Sequence, residues 1–161
     1  MFQSPFRDKL RSPPVAERSR PICKAPNMPL KILLVDDNPT YANAVRHFLD
    51  RLPGALVTGL AQDGKTALTM VRETPPDVVL LDIAMPGMNG LELARALQQM
   101  ATPPHIIFLS MHDNQEYRAA ANDLGASFVS KSDFVAQLMP TLNQMALSYK
   151  DIPDAPSTGS P

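Results

Sequence analysis

The sequence predicts an α/β domain in which a doubly wound sheet of five parallel strands is covered by helices. Two observations carry this. Five short, wholly apolar, β-rich runs recur along the chain, and a segment with helical apolar spacing follows each one. Hydrophobicity that is continuous rather than alternating marks strands buried on both faces, as in a parallel sheet.

The apolar runs fall at 32–35, 56–61, 78–81, 106–109 and 127–129. After the first, Pro39 suits an opening helical turn with Asn38 or Asp37 as cap, and Ala42, Val45, Phe48 and Leu49 recur on one face. Asp63-Gly64 opens the second helix, carrying Ala67, Leu68 and Val71. Asn89-Gly90 opens the third, with Leu91, Leu93, Ala94 and Leu97. The fourth covers about 114–124 and stops at Gly125, a common C-terminal signal. Ser132 is the expected cap of the last, which carries Phe134, Val135, Leu138, Leu142 and Met145. Pro140 lies inside that pattern and should kink the helix or end it early. Crossovers between parallel strands are expected to be right-handed.

A chain of 161 residues, 44% hydrophobic, suits one globular domain. Its net charge of -1 gives no reason to expect a nucleic-acid or membrane surface. The total hides an asymmetry. Residues 1–30 hold six basic and two acidic side chains, whereas residues 31–146 hold eight basic and twelve acidic ones. The folded part is therefore mildly acidic, which suits clustered carboxylates. Cys23 is the one cysteine, so a reducing compartment is the default. No run approaches the roughly 18 apolar residues that span a bilayer. The basic N-terminus has no apolar stretch behind it to make a signal peptide, and the expected location is cytoplasmic. Residues 1–29, basic and proline-rich, read as a disordered extension; a binding arm, or translation from Met28, are the alternatives. Residues 30–149 form the expected domain and 150–161 a disordered tail.

Ligands of open α/β sheets sit at the carboxyl ends of the strands, where strand order reverses. The residues that follow the predicted strands are therefore the ones to inspect. They are Asp36 and Asp37 after the first, Asp82 after the third, Ser110 after the fourth and Lys131 after the fifth. Three carboxylates in a partly buried pocket repel one another unless a hard divalent cation is present. Mg²⁺ fits, because it takes a few oxygen ligands and keeps waters and a substrate phosphate oxygen. Lys131 and the Ser110 hydroxyl would serve further phosphate oxygens, and a carboxylate nucleophile would form an aspartyl phosphate.

Leu-Leu-Val-Asp36-Asp37, Val-Leu-Leu-Asp82-Ile-Ala-Met-Pro86-Gly87-Met-Asn-Gly90, Phe-Leu-Ser110-Met-His and Ala-Ser-Phe128-Val-Ser-Lys131 occur in that order. The set resembles the successive motifs of two-component response regulator receiver domains, over about residues 30–148. The resemblance implies a flavodoxin-like (βα)5 fold with strand order 2-1-3-4-5. It implies Asp82 as phosphoacceptor and Mg²⁺ as cofactor, held by Asp82, by Asp37 directly, by Asp36 mostly through water and by the Ala84 carbonyl. Ser110 takes the switch hydroxyl role, Lys131 the phosphate-contacting role, and Phe128 the place of the aromatic that turns inward on activation. Ala84 and His112 occupy the variable positions that tune phosphate lifetime. The implied partners are a histidine kinase or histidine phosphotransfer protein, a downstream protein and, after phosphorylation, a second copy of the chain. The protein is not expected to be an enzyme beyond its own phosphorylation and dephosphorylation.

Two departures stand out. Ser132 follows Lys131 where many receivers have a cis proline, and the chain is expected to lack the helix-turn-helix output domain usual for sequences with Leu-Ser-Met-His and Lys-Ser-Asp.

Blander readings compete at every position. Asp82 would cap the loop before Pro86-Gly87, and Asp36 and Asp37 would cap the first helix. Lys131 would be a surface lysine, Ser110 a strand end, and Phe128 a core aromatic. His105 and His112 make no metal pair, because they bracket one strand. Three other function classes compete with a phosphorylated receiver. A receiver-fold scaffold without phosphorylation would not need the acids and lysine together. An aspartate-nucleophile phosphatase would need an acid two residues past Asp36, where Asn38 stands. A DNA-binding regulator would need a further domain.

Overall fold

A computed structural model of the chain describes residues 28–85, 87–112 and 114–151, with side chains up to residue 143. Most of the two terminal segments, with Pro86, Asp113 and the Met145 side chain, lies outside the described residues.

The elements alternate as expected. They are β1 (Leu30–Val35), α1 (Pro39–Asp50), β2 (Ala55–Ala61), α2 (Gly64–Glu73), β3 (Val78–Asp82), α3 (Gly90–Gln98), β4 (His105–Ser110), α4 (Gln115–Asp123), β5 (Ser127–Ser130) and α5 (Phe134–Asp151). A 3-10 turn, Lys131–Asp133, joins β5 to α5. All strand pairs are parallel, and their order is β2-β1-β3-β4-β5.

The two faces of the sheet bury separate cores. On one, Ile32, Leu34, Val78, Leu80, Ile107, Leu109 and Val129 pack against Val45 and Leu49 of α1 and Leu138 and Leu142 of α5. On the other, Leu33, Val35, Val79, Leu81, Ile106 and Phe108 meet Ala67 and Val71 of α2, Leu93, Ala94 and Leu97 of α3, and Ala121 of α4. Successive strand side chains point to opposite faces, so uniformly apolar strands feed both layers. The edge strand β2 departs from this. Its residues are mostly half-buried and Leu56 is exposed, because an edge has one neighbour rather than two.

The helix starts follow their capping chemistry. Asn38 Oδ1 accepts the Thr40 and Tyr41 N–H groups, Asp63 that of Thr66, Asn89 that of Glu92 and Asn114 that of Tyr117. Of the two candidate caps for α1, Asn38 holds the place and leaves the acids before it to the strand end. The last helix corrects three expectations. Ser132 does not cap it; that residue lies within the 3-10 turn, its hydroxyl 2.8 Å from the Ser130 hydroxyl. Of the two outcomes expected of Pro140, a kink or an early end, the early end does not occur: Leu138 and Leu142 on either side are both buried in the α1/α5 core, and that shared packing holds the segment in one helix. Val135 is exposed, so the apolar face is narrower than its spacing suggested.

Candidate functional site

The order of the strands places the site. The connection from β1 runs to β2 on one side, and the next, from β2, crosses back past β1 to β3 on the other, so the carboxyl ends of β1 and β3 flank the crevice where the order reverses. Asp36 continues the Ile32–Leu34 face beyond β1, and Asp82 continues the Val78–Leu80 face at the end of β3. In parallel strands paired in register the two therefore emerge side by side.

Oxygen atoms of Asp36, Asp37 and Asp82 all lie within 4.8 Å of one another. Asp36 and Asp82 are buried and Asp37 is exposed. Lys131, from beyond β5, reaches over β4 to join them. Its Nζ donates to Asp36 Oδ2 at 2.7 Å and to Asp82 Oδ2 at 3.3 Å, and its side chain is 7% exposed. Asp36 Oδ1 accepts the Asn38 N–H at 2.8 Å, so both oxygens of Asp36 are engaged. Asp82 Oδ1 accepts the Ala84 N–H at 3.1 Å.

One ammonium among three carboxylates leaves the pocket short of positive charge. The consequence falls on Asp82. Burial pushes its pKa up to about 6, with the Asp36 charge adding to the rise and Lys131 opposing it. The donor set is all oxygen and net negative, and exposed Asp37 opens it to solvent. These residues fit a hard divalent cation such as Mg²⁺.

Gly90 lets the loop after Asp82 close. Its N–H donates to the Ile83 carbonyl at 2.8 Å, and a Cβ there would collide with the Asp82 carbonyl oxygen and come within 2.8 Å of Ile83 Cα. The start of α3 can approach the Asp82 backbone this closely only without a side chain.

Ser110 and Phe128 make other contacts. Ser110 is buried, and its hydroxyl donates to the His112 carbonyl at 3.1 Å and accepts the His112 N–H at 3.0 Å. Phe128 is half-buried against the α2–α4 core, with the Arg118 guanidinium 4.8 Å above its ring. One neighbour of the cluster escaped the sequence reading. Tyr41, in the first turn of α1, has its ring centroid 4.4 Å from Lys131 Nζ. Its place just after the acid pair was the only signal pointing to it.

Comparison with known proteins agrees with this arrangement. The family model of the response regulator receiver domain matches residues 32–143. The chain is 37% identical over 122 residues to a protein-glutamate methylesterase/protein-glutamine glutaminase of Desulfotalea psychrophila, covering 74% of this chain and 33% of that protein. It is 32% identical over 119 residues to the nitrate/nitrite response regulator NarL of Escherichia coli, covering 73% and 55%. Among solved structures, the receiver domain of the putative response regulator NarL from Mycobacterium tuberculosis matches with TM-score 0.68 and 29% identity, over 74% of this chain and 97% of that one. The response regulator domain of Thermotoga maritima CheB matches with TM-score 0.66 and 26% identity, over 78% and 99%. This chain belongs to the response regulator receiver family. It spans a third to about half the length of these two curated relatives. Among the described residues, no helix is long and apolar enough to cross a membrane.

Proposed function

We propose that Asp82 accepts a phosphoryl group from a phosphohistidine on a histidine kinase or phosphotransfer protein. The observation that carries this reading is the Lys131 ammonium bridging Asp36 and Asp82 at the strand-order reversal, 2.7 and 3.3 Å from their carboxylates. A buried ion cluster of this kind costs desolvation that pairing only partly offsets, so it is a poor stabilising device and a good phosphate site.

The Asp82 carboxylate attacks phosphorus, an O–P bond forms, and the P–N bond breaks with its electron pair returning to the imidazole. Lys131 turns from the Asp36 and Asp82 carboxylates toward a phosphoryl oxygen. The Ala84 N–H, now on Asp82 Oδ1, steadies the carboxyl group as it becomes an acyl phosphate. Asp37, Asp82 and the Ala84 carbonyl, with Asp36 through water, would hold Mg²⁺, which would supply charge neutralisation for the phosphoryl oxygens.

Ser110 then exchanges its His112 bonds for a phosphoryl oxygen, and Phe128 turns inward from beneath Arg118. The altered surface of α4 and β5 engages a downstream protein or a second copy of the chain. The working unit on this reading is residues 30–149, in the cytoplasm, with no nucleic-acid contact of its own.

The test is incubation with acetyl phosphate and Mg²⁺, followed by intact mass. A gain of one phosphoryl group that disappears in Asp82→Asn is expected. A wild-type chain that gains nothing, or a variant that gains it equally, overturns the assignment.

A further inference from the structure

The contacts of Lys131 extend beyond its two acids. An ammonium carries three N–H bonds. Two carboxylate oxygens, at 2.7 and 3.3 Å, and the face of the Tyr41 ring, at 4.4 Å, all contact the nitrogen. The ring is braced in turn. Phe134, at the start of α5, meets Tyr41 edge-on with centroids 6.3 Å apart and planes at 78°, and meets Phe48 at 5.4 Å and 74°. Tyr41, Phe134 and Phe48 thus form an aromatic wall between α1 and α5, and Lys131 lies against one end of it.

The hydroxyl of Tyr41 makes no such contribution. It is buried and, among the described residues, has no hydrogen-bond partner. A dry, unpartnered O–H costs free energy, so the favourable contacts at this position belong to the ring. Burial, and next the Asp36 and Asp82 charges, push its pKa up to about 12, which keeps the group neutral and the ring's face an ordinary cation acceptor.

We propose that Tyr41 is a positioning residue for Lys131, its ring holding the ammonium against the strand ends where a phosphoryl group would arrive. A lysine side chain has four rotatable bonds, and its two ion pairs alone do not enclose the nitrogen. A desolvated π face limits that freedom and shields the nitrogen. The consequence for rate rests on the phosphoacceptor reading above; the shielding does not.

Two measurements on the full chain keep these separate, each comparing wild type with Tyr41→Met and Tyr41→Phe after thermal unfolding has checked that the variants fold. The first is acylation of Lys131 by acetic anhydride, read by peptide mass without any phosphodonor. Tyr41→Met, which keeps an apolar side chain but no π face, is expected to acylate about fivefold faster, and Tyr41→Phe at close to the wild-type rate. The second is the initial rate of phosphorylation by acetyl phosphate with Mg²⁺. It should fall about tenfold in Tyr41→Met and be largely restored in Tyr41→Phe. Unchanged acylation in Tyr41→Met overturns the proposal whatever the phosphorylation result. A Phe variant that acylates faster than wild type, or is phosphorylated as slowly as the Met variant, overturns it too, by moving the role to the hydroxyl. A wild type that takes no phosphate while acylation responds to Tyr41→Met as stated sinks only the phosphoacceptor reading.

Discussion

The ends of β3 and β4 are neighbours in one sheet, with Asp82 paired to Leu109 in register, yet they are organised in different ways. At the end of β3, Asp82 is tied to Lys131, 49 residues along the chain, and through it to Asp36. At the end of β4, the Ser110 hydroxyl satisfies itself two residues away, on both backbone groups of His112. The difference follows from the groups. A buried carboxylate left without a counter-charge is expensive, so it recruits a partner from any distance. A neutral hydroxyl needs only a nearby donor or acceptor, and its own loop supplies both. The charged cluster is therefore pre-assembled, whereas the Ser110 hydroxyl sits in a local arrangement that costs little to give up.

Removing the cation breaks the comparison most severely. Lys131→Ala leaves Asp36 and Asp82 buried against each other, and in metal-free buffer near pH 7.5 it should cost about 3 kcal/mol in urea unfolding. Adding Mg²⁺ should recover part of that loss; a variant as stable as wild type would show that Lys131 is not compensating two buried charges. Gly90→Ala comes next. Its Cβ meets backbone atoms of Asp82 and Ile83 rather than a flexible side chain, so a loss of roughly 2 kcal/mol is expected by the same assay.

Asp82→Asn has the opposite sign. The unfolded chain releases this proton near the ordinary aspartate value of 3.8, whereas the folded one holds it until about 6. Between those values the folded state binds more protons, so the Asp82 contribution to stability falls as pH rises from about 4 to 6 and stays low above. Without Mg²⁺, Asp82→Asn should therefore stabilise the fold by roughly 1–3 kcal/mol near pH 7.5 and by almost nothing at pH 4. A stabilisation independent of pH would mean that something other than this titration is responsible. Smallest is Ser110→Ala, whose neutral, local bonds predict a change under about 1 kcal/mol and an Asp82 that still gains a phosphoryl group. A loss as large as that of Lys131→Ala would erase the distinction between the two strand ends.

Much of this was legible in the residues themselves. Continuous apolar runs located every strand to within two residues, and Asp63, Asn89 and Asn114 marked helix starts by chemistry that acts within three residues. The errors fall where a contact made in the fold outweighs a residue's own preference. Pro140 disfavours a helix by itself, but Leu138 and Leu142 bind both sides of it to one core. Ser132 has the chemistry of a cap and instead meets Ser130 within the 3-10 turn.

Sequence alone determined the alternation of strands and helices and the identity of the side chains leaving each strand end, because apolar period and capping are short-range. Only tertiary structure decided that Lys131 lies between Asp36 and Asp82 with Tyr41 against it, and that Ser110 turns to its own loop. Those contacts join residues as far as 95 positions apart, and no local pattern encodes which of several nearby groups a desolvated charge will select.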